Sequence, residues 1–270
     1  MSDFEDIQGK VYVVTGGAGA GAGGTGSAVC RALAAHGGGV AILDVADEAG
    51  RALAAELGDA ALYVHCDVRE PEEVALAALA VHERFGRVDG LVNNAFWHAG
   101  AQPPLHESSL ADWDAHTSIN LRCHFIVCHE FIPLLLEREK SVILNVSSTG
   151  AHRGEDGYFA YDAAKAGLES LTRNIAAQYG RQGLRCNCLA PGLVLSEGVD
   201  AALMGIPAVA QAFSRIDRNN LLFCGHGTGE DVAGAALFLL SDLSRYVTGQ
   251  VLLADAGTCS HNPQWADAHE

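Results

Sequence analysis

The sequence predicts a doubly wound α/β fold, in which helices cover both faces of a parallel sheet. Seven short apolar runs alternate with segments of helical periodicity along the chain. The runs are continuously apolar rather than alternating, which is typical of strands buried on both faces. A glycine-rich turn, TGGAGAGAGGTG at residues 15–26, joins the first run to the first helical segment.

The predicted elements follow one another in regular order. Strands are predicted at residues 11–15, 40–44, 61–66, 90–93, 141–146, 184–189 and 251–254. Helices are predicted at residues 26–36, 48–57, 71–85, 113–137, 161–179 and 229–240. No internal repeat or linker divides them, so residues 1–270 are predicted to form a single domain. In an open sheet of this kind, the ligand binds beyond the carboxyl ends of the strands.

The composition disfavours nucleic acid and membranes as partners. The chain has 270 residues, of which 49% are apolar, and its formal net charge is −16. This size and apolar content suffice for one large core, and the negative charge disfavours a nucleic-acid partner. The sequence has no uncharged apolar run of the about 18 residues that a membrane helix requires, and the acidic N-terminus does not resemble a signal peptide. We therefore expect a cytoplasmic protein without a membrane partner.

The thiols and imidazoles indicate neither disulfides nor a metal. The eight cysteines form no CxxC pair, and most of them lie in apolar runs, which favours reduced and buried thiols. His124 and Cys128 are four residues apart on a predicted helix, a spacing that suits a metal but is explained more simply by helix packing. No HExxH motif or two-histidine-one-carboxylate cluster accompanies them, so no metal is predicted.

The glycine turn and Asp44 predict a dinucleotide site that prefers NAD. A turn that opens a helix directs backbone amides and the helix dipole toward a pyrophosphate. Asp44 ends the second predicted strand, where a carboxylate accepts hydrogen bonds from both ribose hydroxyls of an adenosine and repels a 2′-phosphate. No Lys or Arg lies between Thr15 and Cys30 to bind that phosphate instead.

Several motifs lie at the matching positions of this strand–helix plan. The turn fits T-G-x-x-x-G-x-G if Thr15-Gly16-Gly17-Ala18 forms its front, Gly24-Thr25-Gly26 forms its back, and four extra residues, best placed as Gly19-Ala20-Gly21-Ala22, lie between. In another alignment, Gly21 or Gly23 takes the place of Gly24. The later matches are Cys66-Asp67-Val68, Asn93-Asn94-Ala95, Ile119-Asn120, Asn145-Val146-Ser147-Ser148, Tyr161-Asp-Ala-Ala-Lys165, Pro191-Gly192, Thr248-Gly249 and Asp255-Ala256-Gly257.

Together these motifs resemble the short-chain dehydrogenase/reductase family over residues 9–257. The resemblance implies a Rossmann-type fold with the catalytic residues Asn120, Ser148, Tyr161 and Lys165. It also implies cofactor-binding residues at Gly16, Gly24, Thr25, Gly26, Asp44, Asp67, Val68, Asn93, Ala95, Tyr161, Lys165, Pro191, Gly192, Val194 and Ser196. The chain departs from the family pattern in the four extra turn residues, in Phe96 and in Ala256, the last two standing where glycine is usual.

The catalytic set implies alcohol oxidation or carbonyl reduction. Tyr161 and Lys165 are four residues apart and share a helix face. The ammonium is expected to favour the phenolate of a tyrosine whose ordinary pKa is about 10, so that Tyr161 serves as the general base or acid. Ser148, chosen over Ser147 by its spacing to Tyr161, would hold the substrate oxygen. Lys165 would also bind the nicotinamide ribose, and Asn120 would orient a water that connects Lys165 to solvent.

The substrate side is predicted to be apolar. Residues 193–224 form a long segment with its own apolar pattern, which predicts either a lid after the sixth strand or a packed surface insertion. The candidate pocket residues fit a cyclic, aryl or steroid-like secondary alcohol or ketone, and they are Phe96, Trp97, Phe159, Leu193, Leu203 and Met204. His98, His152 and Glu155 are candidates for contacts with polar substituents, although ordinary surface positions explain them as well.

The sequence leaves alternatives for the function, the assembly and the C-terminal tail. One alternative function is a 3-oxoacyl thioester reductase of the same family, which the lack of a basic cluster disfavours. A second, non-catalytic alternative is a dinucleotide-binding sensor or scaffold. The resemblance also implies a homotetramer, or a homodimer, joined through the helices at residues 113–137 and 161–179, and the tail at residues 258–270 either frays or folds over a neighbouring subunit.

Overall fold

A parallel sheet of seven strands forms the centre of the protein. The computed structural model describes residues 4–19, 24–97, 100–195, 214, 220–222 and 225–260. The strands are β1 (Val11–Thr15), β2 (Gly39–Asp44), β3 (Ala61–His65), β4 (Gly90–Asn93), β5 (Ser141–Val146), β6 (Leu184–Pro191) and β7 (Val251–Ala254). Their order is β3-β2-β1-β4-β5-β6-β7, with every pairing parallel. This confirms the predicted doubly wound, Rossmann-type fold.

The helices of the described residues cover both faces of the sheet. They are α1 (Thr25–Ala35), α2 (Asp47–Leu57), α3 (Pro71–Phe85), α4 (Leu110–Thr117), α5 (Cys123–Leu135), α6 (Phe159–Tyr179) and α7 (Gly229–Leu240). Buried side chains of α1, α2 and α7 pack on one face, and those of α3, α5 and α6 pack on the other. Successive strand residues face opposite layers, so both strand faces are apolar, as the continuous runs predicted.

The segment predicted as one helix at residues 113–137 is instead built in three parts. It begins at Leu110, because the Ser109 side chain accepts a hydrogen bond from the backbone N–H of Asp112 and caps α4. A π-helical segment, Ser118–Arg122, then leads into α5, which ends at Leu135. A π segment inside a helix often marks a functional position, and this one contains Asn120.

The topology places the ligand site. The strand order reverses direction between β1 and β4, so their carboxyl ends border a crevice at the switch point. The glycine turn follows β1, and the segments after β4, β5 and β6 leave the same edge of the sheet. In the part of the chain that the structure describes, no helix has the length and apolar character that crossing a membrane requires.

Candidate active site

The turn after β1 is closed by two glycines that admit no side chain. Gly16 has φ +61°, and a Cβ atom there would lie 2.8 Å from Ala95 Cα. A Cβ atom at Gly26 would lie 2.3 Å from the carbonyl oxygen of Gly16. The Asn94 side chain donates to that same carbonyl oxygen at 2.9 Å. The start of α1 therefore packs directly on β1 and on the end of β4, which requires glycine at both positions, and the cofactor contacts expected of Gly16 and Gly26 stay a prediction.

The start of α1 has the properties of a phosphate site. Gly24 precedes the helix in extended conformation and provides no side-chain cap, and the first turn after Thr25 contains no acidic residue. By contrast, acidic residues occupy the first turns of α2, α3 and α7. Gly24 thus offers the first turn of α1 no side-chain cap, and no acidic side chain within that turn opposes a bound anion, which fits a dinucleotide pyrophosphate. Residues 20–23, with most of the inserted segment and the alternative glycines Gly21 and Gly23, lie outside the described residues.

Asp44 braces the glycine turn. Its Oδ2 accepts hydrogen bonds from the backbone N–H groups of Ala18 at 2.9 Å and Gly19 at 3.1 Å. Its Oδ1 accepts from the N–H of Ala46 at 3.0 Å. A carboxylate offers about four acceptor positions, so the side chain keeps capacity for one ribose hydroxyl while it holds the turn. The sequence predicted only the ribose contacts of Asp44 and not this structural contact.

Asp67 and Asn93 are engaged in contacts with protein groups. The Asp67 carboxylate accepts from the Arg69 guanidinium at 2.9 Å, and this pairing lowers the pKa of Asp67. Val68 is buried in the core beside it. The Asn93 side chain donates to Asn145 Oδ1 at 2.8 Å and to Cys128 Sγ at 3.2 Å, inside the protein. A cofactor contact by Asn93 therefore has to use its backbone.

The serine, tyrosine and lysine meet where β5 ends and α6 begins. Ser148 and Tyr161 lie close enough that the Ser148 hydroxyl acts on the pKa of the Tyr161 phenol. The Lys165 ammonium donates to the carbonyl oxygen of Val146 at 2.9 Å, and its Nζ lies 5.7 Å from the centroid of the Tyr161 ring. Lys165 is only 1% exposed. The helix spacing and the strand end thus bring these three predicted residues together.

Burial has the largest effect on the pKa values of Tyr161 and Lys165. It raises the pKa of Tyr161 to about 12, and the hydrogen bond from Ser148 opposes that rise. Burial also lowers the pKa of Lys165 to about 8. The expectation that the lysine lowers the tyrosine pKa is therefore corrected, because desolvation of the phenolate is the larger effect here.

Asn120 ties the segment after β4 to the π segment. Its Nδ2 donates to the carbonyl oxygens of Trp97 at 2.7 Å and His116 at 3.0 Å. Its Oδ1 accepts from the Trp97 N–H at 3.3 Å. Both amide protons are thus used, and the predicted contact of this side chain with water has to rely on the second lone pair of Oδ1.

Aromatic side chains lie on the segment after β4, on α4 and at the start of α6. The Phe96 ring lies 5.9 Å from Lys165 Nζ, and it is 55% exposed. Trp97 contacts the His116 ring, with 5.1 Å between centroids. Phe159 stacks on Trp113, with 6.4 Å between centroids and an angle of 13° between the ring planes. Trp113 and His116 were missed from the sequence, where both read as ordinary helix positions.

The remaining predicted site residues divide into three groups. Pro191 ends β6, Gly192 donates its N–H to the carbonyl oxygen of Ala254 at 3.0 Å, and Val194 forms a parallel bridge with Gly227 beyond Leu193. Two of the three polar substrate candidates lie among the described residues, and both are paired within the protein: His152 with Glu169 at 2.9 Å and Glu155 with Arg153 at 2.6 Å. The positions that lie outside the described residues are His98, Ser196, Leu203 and Met204.

The fold and this site define a dinucleotide-binding oxidoreductase with a small-molecule substrate. A family model described as enoyl-(acyl carrier protein) reductase matches residues 19–259. The chain belongs to the short-chain dehydrogenase/reductase family and is a dehydrogenase of that family, whose members use NAD or NADP.

Characterised relatives match almost the whole chain. It is 35% identical to momilactone A synthase of Oryza sativa subsp. japonica over 95% of this chain and 92% of that protein. It is 33% identical to (+)-borneol dehydrogenase 2 of Salvia officinalis over 95% of this chain and 91% of that protein. The crystal structure of levodione reductase superposes with a TM-score of 0.83 at 30% identity, covering 94% of this chain and 99% of that one.

Proposed function

We propose that the protein interconverts a secondary alcohol and a ketone with NAD(H). The observation that carries this proposal is the convergence of the Ser148 hydroxyl, the Tyr161 phenol and the buried ammonium of Lys165 where β5 ends and α6 begins. This arrangement provides a holder for a substrate oxygen and a group that exchanges its proton. The bound nicotinamide would supply or accept the hydride.

The chain's own residues would handle the proton. In the oxidation direction, the Ser148 hydroxyl holds the alcohol oxygen and the Tyr161 phenolate takes its proton; in reduction, Tyr161 returns it. A pKa of about 12 makes the phenolate scarce near neutrality, so the ammonium and the positive charge of oxidised nicotinamide have to stabilise it in the complex. Lys165 is held by Val146 in a position to do so.

The adenosine end favours NAD over NADP. Asp44 carries its carboxylate at the end of β2, within hydrogen-bonding distance of the glycine turn. The next residue, Val45, is 56% exposed and offers no positive charge. A 2′-phosphate placed here would face the carboxylate without a cation on either of these residues, and like charges at close range cost binding energy.

An apolar substrate fits the aromatic rings on the segments that carry the set. The Phe96 ring lies 5.9 Å from Lys165 Nζ, Trp97 follows it in the chain, and Phe159 lies two residues before Tyr161, while Leu193 follows β6. Among the relatives, one is named a dehydrogenase of borneol and another a reductase of levodione. We therefore propose a cyclic, aryl or steroid-like alcohol or ketone. The family model's description names an acyl carrier protein, so a 3-oxoacyl thioester reductase is the second candidate.

We propose further that the chain forms one domain with a lid at residues 193–224, acts in the cytoplasm and assembles as a homotetramer or homodimer. The lid proposal is supported by hydrogen bonds that tie both ends of the segment together, from Leu195 N–H to Gly227 and from Gly227 N–H to Leu193.

The assembly proposal is supported by an open apolar groove between α5 and α6, lined by Leu121, Phe125 and Leu171. Phe125 is 58% exposed.

Calorimetry with NADH and NADPH tests the cofactor proposal directly. The nucleotide-free protein is titrated with each, after the absorbance at the nucleotide band shows that none has co-purified. Tight NADH binding and weak NADPH binding support the proposal, and Asp44→Ala is expected to weaken NADH binding about 10- to 100-fold, since it removes both the brace and the ribose acceptor. Absence of any dinucleotide binding would show that the extended turn has disabled the site. A screen of secondary alcohols with the preferred cofactor then tests the reaction.

A further inference from the structure

A single carboxylate oxygen contacts both ends of the turn that carries Ser148. Ser147 and Ser148 follow β5, and a short 3-10 turn, Thr149–His152, comes next. The Ser147 hydroxyl donates to Glu169 Oε1 at 3.0 Å, and His152 Nε2 lies 2.9 Å from the same oxygen. Both contacts join residues far apart in sequence.

Glu169 belongs to the helix that carries the tyrosine and the lysine. It lies in α6, one turn after Lys165 and two turns after Tyr161, so these residues lie along one side of the helix. The Ser147 hydroxyl also lies 3.3 Å from the carbonyl oxygen of Lys165. The contacts of Glu169 therefore connect the serine turn to the helix of Tyr161 and Lys165.

Glu169 is buried, so its hydrogen-bonding contacts matter for stability. The residue is 7% exposed, and burying a carboxylate costs free energy unless it is paired and hydrogen-bonded. His152 is the ionisable partner in contact with it, and its side chain is 30% exposed at the surface of the turn. Among the described residues, the side-chain partners of this buried acid are Ser147 and His152, which suits a specific linkage better than general packing.

The hydroxyl of Ser148 depends on the conformation of this turn. Ser148 Oγ accepts a hydrogen bond from the N–H of Gly150, within the turn, at 3.1 Å. The same hydroxyl lies close enough to Tyr161 to oppose the rise in the pKa of its phenol. A shift of the turn would thus move the group that is to hold the substrate oxygen, and a displacement of about 1 Å in such a group can cost roughly 100-fold in rate.

We propose that Glu169, with Ser147 and His152, is a positioning device that holds Ser148 in register with Tyr161. We call these three residues the carboxylate clamp. The inference rests on the proposed chemistry of Ser148 and Tyr161 and adds to it residues that act through the serine turn. Ser147, which the sequence offers as a second candidate for holding the substrate oxygen, thereby acquires a separate role.

Three variants test the carboxylate clamp. Glu169→Ala removes the acceptor, Glu169→Gln keeps an oxygen acceptor in place, and His152→Ala removes one donor from an accessible position that the fold does not require. We expect Glu169→Ala and His152→Ala to lower kcat by about 10- to 100-fold while KM and the Kd for NADH stay within about threefold. Glu169→Gln is expected to restore most of kcat. Glu56→Ala, which removes a carboxylate paired with Arg31 away from the site, is the matched control and should change none of these values.

Hydrogen exchange gives a measurement that does not require turnover. The amides of Gly150 and Ala151 are hydrogen-bonded within the turn, to Ser148 Oγ and to the Ser148 carbonyl oxygen. They should exchange about 10-fold faster in Glu169→Ala and His152→Ala but not in Glu169→Gln.

Each outcome decides the question. Unchanged exchange in both alanine variants overturns the carboxylate clamp, and faster exchange with unchanged kcat overturns its positioning role. If Glu169→Ala does not fold, His152→Ala alone carries the test. If the wild-type protein oxidises no alcohol and reduces no ketone, the proposed function fails, and the exchange rates alone decide whether the clamp exists.

Discussion

Asn120 and Trp97 are joined by a pair of hydrogen bonds, one in each direction between the Asn120 carboxamide and the Trp97 backbone. Asn120 is fully buried in the π segment, and Trp97, on the segment after β4, is 46% exposed. The carboxamide therefore determines where the segment after β4 runs, in a chain that carries Phe96 where the family pattern has glycine.

Asn120→Ala is expected to release the Trp97 segment. Loss of a buried hydrogen-bonding side chain leaves the carbonyl oxygens of Trp97 and His116 without their donor, which costs about 1–3 kcal/mol of folding free energy for each unsatisfied group. We expect a lower Tm, a shift in tryptophan fluorescence and a lower kcat. Thermal unfolding monitored by fluorescence measures the first two together. A variant with wild-type fluorescence and kcat would show that the pair of bonds positions nothing.

Tyr161→Phe is expected to abolish turnover and leave NADH binding nearly unchanged. The substitution removes only the hydroxyl that lies near Ser148, and the ring keeps its place near Lys165. Loss of a positioned general acid or base typically costs about 100- to 10,000-fold in rate. Steady-state kinetics and NADH titration by fluorescence measure the two effects separately. Turnover at the wild-type rate would refute the assignment of Tyr161 as the acid–base group.

Asp162 makes stability depend on pH near neutrality. Burial first, and then the charge of Glu155, raise the pKa of this carboxyl to about 7, while Arg153 opposes the rise; its Oδ1 is buried without a hydrogen-bond partner. Because the folded pKa lies above the unfolded value of 3.8, the stabilisation is complete below pH 3.8 and is lost as the pH rises through about 7.

Asp162→Asn should therefore raise Tm at pH 8 and have less effect at pH 5. The amide cannot ionise, so the variant avoids the cost of a buried carboxylate at the higher pH. A difference in the Tm shift of about 2 °C or more between the two pH values is expected. Calorimetric scans of both proteins in matched buffers provide the measurement. An equal Tm shift at both pH values would mean that the carboxyl does not titrate in this range.

Ala256 adopts a conformation that suits glycine. Its φ is +51°, in the left-handed region, in the turn after β7 where the family pattern has glycine. This conformation costs a residue with a Cβ atom roughly 1–2 kcal/mol. We expect Ala256→Gly to stabilise the protein by about 0.5–1 kcal/mol once the greater chain entropy of unfolded glycine is included.

Urea unfolding measures this change in unfolding free energy. Ala55→Gly, on the exposed face of α2, is the control and should change the unfolding free energy in the opposite direction. Glycine in a helix costs about 1 kcal/mol, so the control should lower the unfolding free energy. Destabilisation by both substitutions would contradict the strain at Ala256.

The sequence predicted most strands within one or two residues because their apolar character is continuous and the punctuating turns are rich in glycine and proline. Asp44 is an example of what this reasoning cannot predict. Its position at the end of β2 was predicted, but its contact with Ala18 depends on the path of a turn, and turns have no sequence periodicity. The π segment around Asn120 likewise has no sequence period of its own within a longer helical pattern.

Contacts between distant residues were the least predictable part of the site. Glu169 reads as an ordinary helix residue, and only the docking of α6 on β5 brings it to Ser147 and His152. Trp113 reads as the first residue of a helix, and its stacking on Phe159 follows from the packing of α4 against α6. Such pairings depend on tertiary geometry, for which a single sequence provides no spacing rule.

The glycine at the N-cap of α1 makes the dinucleotide a contributor to folding as well as a reactant. A helix whose N-cap residue is glycine gives up the stabilisation that a capping side chain at that position would provide. A ligand that binds only the folded chain restores stability in proportion to the logarithm of its concentration, about 2.7 kcal/mol at one hundred times its Kd. The lifetime of this protein in a cell should accordingly follow the size of the nucleotide pool, and depletion of that pool would expose the chain to proteolysis before it limited the reaction.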